Sequence, residues 1–91
     1  MVKLIWEERF KKIYKKWSNQ HPDLKAQFAK KIVQFEEDPF HPSLKTHTLS
    51  GVLKGLWLFR ITYEHRLIFD FIDESRTQVV LIDIGSHEEV Y

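Results

Sequence analysis

The sequence predicts an α+β fold, with two N-terminal helices packed on one face of a four- to five-stranded, mainly antiparallel sheet. Three observations carry this expectation. Residues 7–38 place apolar side chains at helical spacing, interrupted once at His21-Pro22-Asp23. Residues 56–72 alternate between two faces, as paired strands do. Between them, residues 40–55 carry Pro42, Gly51 and Gly55 and read as a loop.

The elements follow in order. VKLIW, residues 2–6, is a short apolar run suited to a strand. In EERFKKIYKKWSNQ, Phe10, Ile13, Tyr14 and Trp17 form one stripe. Acids open the segment and lysines fill its later turns, which suits the helix dipole and predicts a helix over about 7–18. Pro22 or Asp23 starts a second helix over 22–38, with Leu24, Phe28, Ile32 and Phe35 as its apolar stripe, and Pro39 ends it. FHPSLKTHTLSGVLKG holds at most a short strand. LWLFRITY sets Trp57, Phe59, Ile61 and Tyr63 against Leu58, Arg60 and Thr62. RLIFDFI sets Leu67, Phe69 and Phe71 against Arg66, Ile68 and Asp70. The short connection Thr62–His65 makes these two strands a hairpin, and Asp73-Glu74-Ser75 is a second turn. TQVVLIDIG is apolar on both faces and is expected in the sheet interior. The helices belong on the face that holds Trp57, Phe59 and Leu67, which leaves Arg60 and Arg66 on the other.

A chain of 91 residues with 43% apolar content predicts a single domain over 1–91. It has no cysteine, which excludes a disulfide framework and a thiolate metal site. MVKLIWEERF does not resemble a signal peptide, and no run approaches a membrane span, so a cytoplasmic protein with no membrane partner is expected. Net charge is only +1, but it is unevenly placed. Residues 41–60 hold Lys45, Lys54 and Arg60 with no acid, which marks this segment as a candidate anion-binding surface and Lys45 and Lys54 as candidate RNA contacts.

The polar residues suggest phosphate chemistry. Arg60 and Arg66 project from adjacent strands toward one face, where two guanidinium groups would clamp a phosphate. The competing reading is a cross-strand salt bridge from Arg66 to Asp70 or Glu64. His47 and His87 supply groups able to act as acid and base near neutrality. Cleavage of RNA without a metal needs a base for the 2′-hydroxyl, an acid for the 5′-oxygen and cations for the charged phosphorane. Tyr91 offers a ring for stacking or a phenolic proton. His41 and His47 fit no familiar metal-ligand spacing, so neither metal nor cofactor is expected.

LKTHTLSG, KGLWLFRITYEHRLIFDF and LIDIGSHEEVY together resemble the RelE superfamily of bacterial toxins, nearest to its YafQ and YoeB branches. The resemblance spans the chain. It implies a type II toxin: a metal-independent endoribonuclease that cuts mRNA on the ribosome and is held inactive by a cognate antitoxin protein, the free toxin being monomeric. By position it implies catalytic roles for His47, Arg60, Arg66, His87 and Tyr91. The chain departs from RelE at Leu58, where RelE has lysine, and from YoeB at Pro42, where YoeB has glutamate. The base is therefore assigned to His47, with Glu64 as the alternative. Two other readings compete: a non-catalytic ParE-like toxin that inhibits gyrase, and a decayed toxin that serves only as an antitoxin-binding module.

Overall fold

The structure is a computed structural model that describes residues 1–87. The chain runs β1 (Lys3–Ile5), α1 (Glu8–Gln20), α2 (Lys25–Glu37), β2 (His47–Thr48), β3 (Trp57–Arg60), β4 (His65–Phe71) and β5 (Gln78–Ser86). Three-residue 3-10 turns occur at Pro22–Leu24, Pro42–Leu44 and Gly51–Leu53. Pro22 lies at the start of the first of these, where its missing N–H costs nothing. Asp38 leaves helical geometry after α2, and its side chain accepts a hydrogen bond from Phe40 N.

The sheet has five strands in the order β1-β5-β4-β3-β2. The neighbours from β2 to β5 pair antiparallel, whereas β1 pairs parallel to β5 with Leu4 opposite Val79. The sheet is thus mixed, and β5 is interior, as its two apolar faces require.

Both helices cover one face. Phe10 and Trp17 of α1 and Phe28 and Phe35 of α2 share a core with Phe59, Leu67, Phe69, Val79, Leu81 and Ile84. Phe35 is fully buried and stacks on Phe59 with ring centroids 4.7 Å apart. Trp6, just after β1, packs edge-on against Phe10 at 5.1 Å and Tyr14 at 5.5 Å, tying the N-terminal strand to α1. At the far end of the sheet, the Arg76 guanidinium sits over the rings of Phe40, Trp57 and Phe71 at 5.0–5.6 Å, a cation–π arrangement that holds the β4–β5 turn to the sheet.

Three details depart from the sequence expectation or go beyond it. β3 ends at Arg60, so Tyr63 leaves the apolar face for the connecting turn and is 80% exposed. The opposite face is not simply polar, because Leu58 and Ile68 are cross-strand partners there and both are buried. β5 carries a bulge: Ile68 opposes Asp83, but the next residue, Phe69, opposes Leu81. Ile82 is the extra residue. It reverses the strand's alternation, so Ile84 rather than Asp83 joins the core.

Candidate active site

The face of the sheet away from the helices carries the site. Directly opposed residues of antiparallel strands share a face. Arg60 opposes Arg66, which opposes Gly85. One row along, His47 opposes Leu58, which opposes Ile68 and then Asp83. Both arginines therefore face away from the helices, as their alternation predicts.

Arg66 is buried, and its guanidinium is fixed at two points. Nε donates to His87 Nδ1 at 3.2 Å, and one terminal nitrogen donates to the Tyr63 carbonyl at 3.2 Å. His87 is itself anchored, because its backbone N–H donates to the Glu64 carbonyl at 2.9 Å. The four-residue turn 61–64 thus holds the Arg66 guanidinium and the His87 backbone through its carbonyls. Thr62 closes that turn, its hydroxyl accepting from His65 N. The Arg66 bond requires the unprotonated lone pair of His87 Nδ1. Among the described residues Arg66 forms no ion pair with Asp70 or Glu64, so the competing salt-bridge reading is not realised. Tyr63, Glu64, Arg66, Ser86 and His87 line an open hollow of about 450 Å³.

His47 lies elsewhere. It is exposed on the edge strand β2, its Nδ1 sits 2.7 Å from the Lys45 carbonyl, and it lines a different hollow with Thr48, Leu49 and Val52. The strand order does place Arg66 between His47 and His87. However, three strand spacings, roughly 14 Å, separate β2 from β5, and the buried side chains of Leu58 and Ile68 lie between. The expected convergence of His47 with Arg66 and His87 on one phosphate is therefore not present in this arrangement. Glu64, the alternative base, does share the hollow with Arg66 and His87.

The remaining candidates are Arg60, Lys45, Lys54 and Tyr91. Arg60 Nε is buried without a hydrogen-bond partner among the described residues, and its guanidinium lies 5.7 Å from the Tyr63 ring centroid. Lys45 is exposed and adopts a left-handed backbone, φ 54°, at the end of the Pro42–Leu44 turn. Lys54 is exposed after Gly51–Leu53. Tyr91 lies outside the described residues. These residues contain no cluster of three His, Asp or Glu side chains able to hold a metal ion.

His65 was not singled out by the sequence. It is 8% exposed on the helix face, where Trp17 Nε1 donates to its Nδ1 at 3.1 Å. The parity of β4, which sets His65 with Leu67 and Phe69, was the signal available. His21 packs on the same group from the helix side, its ring 4.6 Å from that of His65.

Comparison with known proteins identifies the scaffold. A family model described as the bacterial toxin of a type II toxin-antitoxin system, YafQ, matches residues 2–91. The chain is 32% identical over 74 residues to Toxin YoeB of Escherichia coli K12, a match covering 81% of this chain and 88% of YoeB. YafQ of E. coli BL21(DE3) superposes with a TM-score of 0.78 at 16% identity, over 100% of this chain and 99% of that one. The YoeB-YefM complex from Staphylococcus aureus gives 0.69 at 16% identity, over 96% and 98%. At such identities these two structures show a shared fold alone. The chain is a toxin of the RelE superfamily, and within it belongs to the YafQ family of type II toxin-antitoxin toxins.

Proposed function

We propose that this toxin is an mRNA interferase, a metal-independent endoribonuclease acting in the cytoplasm on ribosome-bound message and restrained by a cognate antitoxin. The observation that carries the reading is the Arg66–His87 pair in an open hollow, a guanidinium held by the 61–64 turn and hydrogen-bonded to an imidazole. The S. aureus YoeB relative is found in complex with YefM, which supports an antitoxin partner here.

The reaction uses the residues of that hollow. The 2′-hydroxyl attacks the adjacent phosphorus, and its proton passes to the Glu64 carboxylate. The P–O5′ bond breaks, and the 5′-oxygen takes a proton from His87. The products are a 2′,3′-cyclic phosphate and a 5′-hydroxyl. Arg66 balances the charge that develops on the phosphorane. An arriving phosphate accepts hydrogen bonds from Arg66 and from His87, so it displaces the bond between them and lets His87 carry the proton it must donate. His47, away from this hollow, contacts the RNA rather than the reacting atoms.

Primer extension on message translated in the presence of the toxin tests this. Defined cuts ending in cyclic phosphate are expected. Intact message together with inhibited gyrase would replace the reading with the ParE-like one, and intact message with antitoxin binding alone would indicate a decayed toxin.

A further inference from the structure

A second hollow, of about 250 Å³, lies beside the first and shares Tyr63 with it. Its lining includes Lys31, Ser43, Lys45, Arg60, Thr62 and Tyr63, with no carboxylate among the described residues. The three cations come from α2, the loop before β2 and the end of β3, elements distant in sequence that the fold brings together. Among the described residues Lys31 reaches only Ser43, at 3.4 Å to both its carbonyl and its hydroxyl, a length at which a hydrogen bond is weak. Arg60 Nε, buried and without a partner among the described residues, is a donor of the kind that folded proteins rarely leave unmade. Arg60 also stands directly opposite Arg66, a like-charge pairing that disfavours the sheet unless an anion lies near.

We infer that Lys31, Lys45 and Arg60 form a second phosphate site, which takes the phosphodiester neighbouring the one that is cleaved. The inference rests on the ribonuclease reading for its ligand. It changes the role of Arg60 from a group at the reacting phosphorus to one that holds the strand. It also adds Lys31, which lies outside the acid-free segment and had no role on sequence grounds. Tyr63, largely exposed between the two hollows, offers a face on which the base between the two phosphates stacks.

Binding, separated from cleavage, tests the site. The probe is a short 2′-O-methyl oligoribonucleotide, which lacks the attacking hydroxyl, titrated into the full chain at several salt concentrations. Each cation that contacts a phosphate of a single strand contributes about 0.7 to the slope of log affinity against log salt. Lys31→Gln and Lys45→Gln should each lower that slope by about 0.7, and Lys31→Arg should restore it. Lys11→Gln, on α1 and paired with Glu8, should leave it unchanged. Inorganic phosphate should shift the Arg60 Nε–H resonance. A Lys31→Gln slope equal to wild type overturns the inference, even where inorganic phosphate moves Arg60, because the hollow then holds a free anion and not RNA. Lowered slopes in a toxin that cuts no message retain the site and remove the ribonuclease reading. Normal cleavage with unchanged slopes does the reverse.

Discussion

Trp17 Nε1 donates a hydrogen bond to His65 Nδ1 across 3.1 Å inside the apolar layer, and so ties α1 to the strand that carries Arg66. The indole is a donor only, so the bond requires His65 to be unprotonated at Nδ1. Trp17→Phe leaves a buried acceptor unmatched, and a cost of about 1–3 kcal/mol in urea unfolding is expected. Adding His65→Leu removes the orphaned group and should recover part of that loss. If the two costs instead add, the hydrogen bond is not what couples the residues.

His87→Ala should lower cleavage of translated message by ~10²–10⁴, the usual cost of losing a general acid. Arg66→Ala should cost ~10²–10³, as for other charge-stabilising donors. Arg66→Lys should not restore activity, because lysine has no counterpart of the Nε that binds His87. Purified variants with wild-type melting curves make the comparison clean. A His87→Ala toxin that cuts at the wild-type rate would remove the acid from the mechanism.

The base can be assigned by a pair of variants. Glu64→Gln should lower the single-turnover rate by ~10²–10⁴, whereas His47→Ala should cause a smaller loss, expressed mainly in RNA affinity. The reverse ranking would return the base to His47 and require the β2 edge to approach Arg66 when RNA is bound.

Asp73 sets an acid limit on the β4–β5 turn. The Thr77 hydroxyl foremost, then the Gln78 N–H, hold its carboxyl below the ordinary value of 3.8. Its folded value is depressed, so its contribution is present above about 3.8 and is lost as pH falls through the lower folded value. Urea midpoints measured from pH 6 downward should therefore fall less steeply for Asp73→Asn than for wild type below about 3.8. Parallel curves would show that the turn adds no acid sensitivity.

Periodicity determined much of this protein without further help. Helical spacing from Phe10 to Phe35 specified two amphipathic helices, and alternation specified a hairpin with Phe59 and Leu67 on the helix side and Arg60 and Arg66 opposite. These features are local, because side-chain direction along a helix or strand follows from residue spacing. Only the tertiary structure decided the rest. The parallel pairing of β1 with β5 joins residues more than seventy positions apart. The bulge at Ile82 is invisible in TQVVLIDIG, where apolar residues on both faces conceal the change of parity, yet it sets the face on which Asp83 and Gly85 lie. Likewise, a histidine's spacing does not reveal its neighbours. His47 and His87 are alike as residue types, but the strand order β5-β4-β3-β2 separates them by three strand spacings. His65 joins the core with Trp17, forty-eight positions away, donating a hydrogen bond to its ring.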